Sequence, residues 1–268
     1  MSVMPQEPVK ISVAWTGFDV LLFFTLWVML MFIANAIVVS ACYNPLHEEK
    51  IDAGKKPETV KSHPIAQLVQ EGKNQPMVLL VAFLAAVVAA PLLEEFLFRL
   101  LLQGWLEAAL SRFGIVQAGS IAIATVSLCF AVVHIDIGNQ ESFLHSQGLF
   151  YRMAASVAVS LLVFTIGMIY LIRMRNITLI PILFGTDRFF RPYFFIYAGY
   201  CLSALVLIYG LTAILMWTYP DTNISPIPLF FFSLLLGFLY YRTRNLSYCI
   251  LLHAVLNGIS LFNVWRMG

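Results

Sequence analysis

Charge is scarce in this sequence. Asp, Glu, Lys and Arg together make up 11% of its 268 residues, whereas about a quarter is usual for a soluble domain. That scarcity excludes an ordinary water-facing surface. The formal net charge is +2 and forms no basic stripe, which excludes nucleic acid as a partner. Cysteine is sparse too. Cys42, Cys129, Cys201 and Cys249 lie far apart with no CxxC spacing, each in or beside an apolar stretch. This excludes a disulfide scaffold or a thiolate metal site and leaves them as small buried hydrophobes. No HExxH pair is present. What is abundant is apolar surface: 60% of residues are hydrophobic and the mean hydropathy is +0.85, the composition of an integral membrane protein.

A helix needs about 20 mostly apolar residues to span a bilayer. The stretches that qualify or come close are Ala14 to Cys42, Pro76 to Leu110 with an interruption at Pro91, Ile115 to Val133, Tyr151 to Ile172, Tyr193 to Trp217, Ile227 to Tyr241 and Leu246 to Val264. They predict an all-α fold, a polytopic membrane bundle of seven to eight transmembrane helices. The first stretch exceeds the roughly 7 to 15 apolar residues of a cleaved signal core and is expected to remain as a helix. Between Arg175 and Arg188 the apolar run is short and carries Pro181, so a re-entrant segment fits as well as a span. The 22 Phe and 11 Tyr suit lipid contact and interfacial belts.

Basic residues favour the cytoplasmic side. Arg112, Arg173 with Arg175, and Arg242 with Arg244 mark one side, and residues 218–226, with Asp221 and no basic residue, mark the other. The loop 43–75 carries five Lys and five acidic residues and runs against that assignment, so orientation stays open. This loop also holds Gly54, Pro57 and Pro64, and reads as a surface connector whose His47 and His63 are ordinary exposed histidines. The chain thus divides into 1–75, an N-terminal transmembrane helix plus charged surface loop, and 76–268, which holds the chemistry.

That chemistry begins where ionisable groups enter apolar helices, because such groups are costly at bilayer depth and mark functional cavities. Three motifs do so: Glu94-Glu95-Phe96-Leu97-Phe98-Arg99, Phe130-Ala131-Val132-Val133-His134 and His253-Ala254-Val255-Leu256-Asn257. Glu95 and Arg99 share a helix face, while Glu94 is turned by about 100° from Glu95. The two glutamates therefore have different tasks: Arg99 holds one carboxylate fixed, most simply Glu95, and Glu94 is left to titrate. A plain ion pair tying helices together does not account for the second glutamate. Phe130 lies one turn before His134. Taken alone, a histidine at a helix end is more often an interfacial or core residue. His253 sits mid-helix with Asn257 four residues on, and a polar pair in an apolar helix needs something to face. The three groups would satisfy one another around an intramembrane polar cavity. Ala85, Ala86, Ala89 and Ala90 would let the first motif helix approach its neighbours closely. His145, in the polar segment 138–148, fits a loop histidine better than a cavity mouth.

A weak internal similarity links Gly167-Met-Ile-Tyr170 with Arg175-Asn176-Ile177 to Gly237-Phe-Leu-Tyr240 with Arg244-Asn245-Leu246. Each copy is a helix end, a basic turn and a second apolar segment. The second runs into His253 and the first into Phe184-Gly185, so one copy carries the chemistry.

The motifs EExxxR, FxxxH and HxxxN, in this order on hydrophobic helices, with Leu239-Tyr240-Tyr241-Arg242-Thr243-Arg244-Asn245-Leu246 before the last, resemble the CPBP family of intramembrane proteases. This is also called the type II CAAX prenyl endopeptidase or ABI family, and comprises CAAX- and bacteriocin-processing enzymes. The resemblance covers roughly Pro76 to Ser260 and leaves the first helix and the charged loop outside. It implies that residues 76–268 are an intramembrane endopeptidase core acting on a membrane-bound protein or peptide within the lipid bilayer, in a multi-pass protein of the plasma membrane. It further implies that Glu94 and His134 activate a water against a peptide carbonyl, that His253 and Asn257 stabilise the oxyanion, and that Glu95, Arg99 and Phe130 support them. A desolvated carboxylate suits general acid/base work, and donors aimed at developing charge act most strongly in a water-poor site. The family is commonly labelled metalloprotease, and Glu94, His134 and His253 match a zinc set of two His and one carboxylate. Asn is a poor zinc ligand, however, and a metal-free hydrolysis is equally consistent, so Zn2+ stays open. Two other classes remain. One is a proton- or ion-coupled transporter, to which internal repeats lend support; the other is a non-proteolytic membrane scaffold of the same fold. A Glu94→Gln substitution separates them.

Overall fold

The structure is a computed structural model that describes residues 13–42, 68–69, 72–134, 146–178 and 226–267, with Leu183, Gly199, Val206 and Gly210 as single positions. The expected helix between Tyr193 and Trp217, the charged loop with His47 and His63, His145 and Cys201 lie outside the described residues or largely so. The described chain is all-helical. Its helices are α1 (Gly17–Cys42), α2 (Pro76–Arg112), α3 (Ala118–Val133), α4 (Ser146–Met174), α5 (Pro226–Thr243) and α6 (Leu246–Met267). Among the described residues four stretches, Gly17–Val38, Pro76–Arg112, Phe150–Met174 and Leu246–Arg266, are long and apolar enough to cross a membrane, and two apolar helices, Ala118–Val133 and Ile227–Thr243, are shorter. This is an integral membrane protein.

The break expected at Pro91 does not occur. A proline inside an α-helix removes an N–H and clashes with the carbonyl four residues back. Here the preceding residues Leu84–Ala89 are π-helical, with Ala90 N–H donating to Ala85 O, so the wider turn carries the helix past the ring. A second π-helical stretch covers Glu95–Gln103. α2 ends where Gly114 adopts a positive φ of 75°. There Ile115 N–H donates to Leu110 O at 3.2 Å and Gly114 N–H to Ser111 O at 3.1 Å, the paired bonds that satisfy the last carbonyls of a helix.

The chain forms two compact units. The first comprises Met1–Leu22, Glu94–Ile137 and Met168–Ile250. Within it α3 packs on α5, and the second part of α2 packs on both. Close approach depends on absent side chains: a Cβ on Gly119 would enter the Tyr241 ring, and one on Gly237 would lie 3.0 Å from Ile123 Cγ2. Two indoles tie α1 to α2. Trp15 Nε1 donates to Leu101 O at 3.0 Å, and Trp105 covers Gly17.

The internal similarity has a shared structural outcome in this unit. Each copy brings a left-handed residue just after its helix, Asn176 at φ 52° and Arg244 at φ 49°. Each puts its arginine on an acid from an earlier helix. Arg175 Nη2 meets both Asp19 oxygens at 2.8 and 2.7 Å, and Tyr170 Oη donates to Asp19 Oδ1 at 2.6 Å. Arg244 grips Glu107 with two bonds of 2.7 and 2.6 Å. Burial opposes the Arg244 charge, but the bonds and charge of Glu107 outweigh it and hold the guanidinium above its ordinary range. Asn245 then starts α6, its Oδ1 accepting from Tyr248 N–H at 3.4 Å as an N-cap.

The second unit comprises Phe23–Leu93, Gly138–Gly167 and Leu251–Gly268. Its core joins Leu68, Val69, Val78 and Ala82 with Phe150, Met153, Leu261 and Val264. Lys73 lies 5.8 Å from the Trp265 ring centre, a cation–π contact. Elsewhere large apolar side chains such as Phe32, Leu251 and Phe262 face outward, as lipid contact requires. Cys249 is buried, but Cys129 is exposed on α3. That corrects the expectation of a buried residue: its helix is apolar all round, and periodicity in such a helix cannot tell a protein-facing from a lipid-facing position.

Candidate active site

In the first unit, EExxxR sits at the start of the second π-helical stretch, where Glu95, Phe96, Leu97, Phe98 and Arg99 are all buried. Arg99 Nε donates to Glu95 Oε2 at 3.0 Å, both side chains being 0% exposed. The same guanidinium donates through Nη2 to Ser233 Oγ on α5 at 2.9 Å. One turn on, Gln103 Nε2 donates to Gly237 O at 2.9 Å. Arg99 and Gln103 thereby fix α2 against α5. Glu94 stands apart from this lock, with its side chain 16% exposed.

His134 follows the last residue of α3, its N–H accepted by Ala131 O at 3.2 Å and its backbone at φ −96°, ψ 3°. This is a sparsely populated region in which active-site residues are often found. Nδ1 lies 2.7 Å from Phe130 O. A carbonyl can only accept, so Nδ1 carries the proton and Nε2 of the neutral ring is an acceptor. Nε2 faces Glu94 Oε2 at 3.7 Å. With the ring neutral, both atoms are acceptors and cannot bond each other, and a single water can donate to both. Phe130, 1% exposed, holds the arrangement. Its ring lies 4.4 Å from the His134 ring, 5.1 Å edge-on from Phe98, and 5.6 Å from the Arg99 guanidinium. The FxxxH spacing thus serves two contacts: the Phe130 carbonyl fixes the tautomer and its ring packs the imidazole.

His253 and Asn257 belong to the second unit. His253 is 4% exposed on α6. Asn257 Nδ2 donates to Ala86 O on α2 at 2.8 Å. The small residues expected to allow close approach lie at this contact: Ala85, Ala86 and Ala89 are buried, and Gly258 faces Val87. A cavity of about 380 Å³ in this unit, lined by apolar side chains with Asn35 and Arg152, contains none of the candidate residues.

Among the described residues no three His, Cys, Asp or Glu side chains come together as metal ligands. Sequence reasoning missed Asp19, Glu107, Gln103 and Ser233, all fully or nearly fully buried polar groups. The available signal was a lone acid in an apolar helix.

No curated protein and no solved structure matches the chain. The type II CAAX prenyl endopeptidase Rce1-like family matches residues 76–186 and 147–259, overlapping segments that take in EExxxR, FxxxH and HxxxN. The matched residues make up more than half of the chain, and the protein belongs to the type II CAAX prenyl endopeptidase Rce1-like family.

Proposed function

We propose that the protein is an intramembrane endopeptidase that hydrolyses a peptide bond in a membrane-associated protein or peptide, in keeping with its family. In this reading it is a plasma-membrane protein of seven to eight transmembrane helices, with residues 76–268 as the catalytic core around a polar cavity and 1–75 as an added helix and loop. The Glu94–His134 pair carries the proposal. A water held between Oε2 and Nε2, 3.7 Å apart, has both acceptors in reach of its protons. Glu94 takes a proton as the water oxygen attacks the scissile carbonyl, and later delivers it to the leaving amine. His134, fixed by the Phe130 carbonyl, orients the water. His253 and the second N–H of Asn257 Nδ2 donate to the oxyanion. Glu95 and Arg99 hold the helix that presents Glu94. The substrate meets these groups as a backbone, so a prenyl group is a handle for binding and not part of the reaction. In this reading the reaction runs without a metal.

The test is hydrolysis of a fluorogenic farnesylated CAAX peptide by the full chain in lipid nanodiscs. Glu94→Gln is expected to lower kcat by roughly 10²–10⁴-fold without a change in thermal unfolding, and wild-type activity is expected to survive a strong chelator. Undiminished hydrolysis by Glu94→Gln would refute the glutamate mechanism, and loss of activity with EDTA that zinc restores would refute the metal-free one.

A further inference from the structure

Pro91 and Asn257 are 166 positions apart in sequence, yet one carbonyl connects them. The π-helical turn Leu84–Ala89 closes with Ala90 N–H reaching five residues back to Ala85 O. The next N–H in that register would come from residue 91 and would bind Ala86 O. Residue 91 is proline and has no N–H. The Ala86 carbonyl is instead met by Asn257 Nδ2 at 2.8 Å. Pro91 is buried, as are Ala86 and Ala89.

We infer that Pro91 is a positioning residue for Asn257: by withholding its amide it keeps the Ala86 carbonyl open to the Asn257 side chain. An amide nitrogen carries two N–H groups. With one bound to Ala86, the carboxamide is fixed in rotation and the other is aimed by the same bond. Proline serves this purpose because any other residue supplies a backbone N–H, at far higher local concentration, that shares the same carbonyl and weakens and turns the Asn257 bond even though the oxygen has two lone pairs. The role in turnover rests on the reading of Asn257 as an oxyanion donor; the hydrogen-bond exchange itself does not.

Pro91→Ala discriminates between a positioning and a merely structural role, because alanine is the better helix former and the variant should fold at least as well. The full chain, labelled with 15N-asparagine in nanodiscs, reports on the Asn257 side-chain amide by NMR, assigned by its disappearance in Asn257→Ala. The wild-type Nδ2 proton bound to Ala86 is expected to be downfield and slow to exchange with D2O. In Pro91→Ala it is expected to move upfield and exchange at least about tenfold faster, as a released donor does. With the farnesylated CAAX peptide, kcat is expected to fall by about tenfold to a hundredfold with KM within twofold, since an oxyanion donor acts in the transition state. An unchanged Asn257 signal would overturn the inference, and a shifted signal with kcat unaltered would overturn its role in turnover while leaving the positioning of Asn257 by Pro91 established. If neither wild type nor variant cleaves the peptide, the catalytic reading fails, while the amide signal still decides whether Pro91 sets the Asn257 bond.

Discussion

Replacing Arg99 with methionine should destabilise the protein more than removing the whole ion pair. Arg99 and Glu95 are both 0% exposed and meet at 3.0 Å. The guanidinium also reaches Ser233 Oγ at 2.9 Å and lies 5.6 Å from the Phe130 ring. Methionine keeps much of the aliphatic stem, so packing loss is small, but the Glu95 carboxylate stays buried after its guanidinium has gone. Removing one member of a buried pair costs about 3–5 kcal/mol, whereas replacing both with groups of similar shape is often close to neutral. At about 2–4 °C per kcal/mol for a chain of this size, Arg99→Met should lower the unfolding midpoint by on the order of 10 °C. Arg99→Met combined with Glu95→Gln should recover most of that loss. The assay is thermal unfolding in nanodiscs at one scan rate, with wild type, both single variants and the double variant compared as a cycle. A single-variant loss below about 1 kcal/mol, or a double variant as unstable as Arg99→Met, would refute the reasoning.

The Arg244–Glu107 clamp predicts an asymmetry, since Arg244 is 34% exposed and Glu107 only 2%. Arg244→Ala should therefore lower the melting midpoint more than Glu107→Gln, because a buried carboxylate loses its partner in the first case and a solvent-reaching guanidinium in the second. Equal shifts would contradict this. The Asp19–Arg175 clamp, with Asp19 at 0% and Arg175 at 29% exposure, should repeat the pattern with Arg175→Ala against Asp19→Asn. Gly119→Leu should cost about 1–3 kcal/mol by driving α3 off the Tyr241 ring, and Tyr241→Ala in the same chain should relieve part of that cost in the same unfolding assay.

The parts of this site that were legible in the sequence are those set by helical spacing. Glu95 and Arg99 pair because they lie four residues apart, and Glu94, one residue away, points elsewhere; the α-helical spacing predicts this, and the π-helical stretch Glu95–Gln103 still leaves residues four apart near one face. Phe130 and His134 share a face for the same reason, although the use of the Phe130 carbonyl to fix the His134 tautomer depends on the helix ending at Val133. What was not legible depends on distance in sequence or on departure from α-helical register. Asp19 and Arg175 are 156 residues apart, and in the sequence Asp19 is one acid at the edge of an apolar run. The repeated Tyr and Arg-Asn pattern signalled two similar turns without naming the acids they would hold. Pro91 gave the opposite error: proline predicts a break only if the helix keeps its α register, and a change to five-residue spacing removes the conflict while leaving one carbonyl for a neighbouring helix. The apolar spans, which dominate the sequence, fix where the helices run but not how they turn. Rotation is set by the few polar groups that must find partners, and those partners, Ser233 and Gly237 on α5 for Arg99 and Gln103, Ala86 on α2 for Asn257, carry no signature of their own.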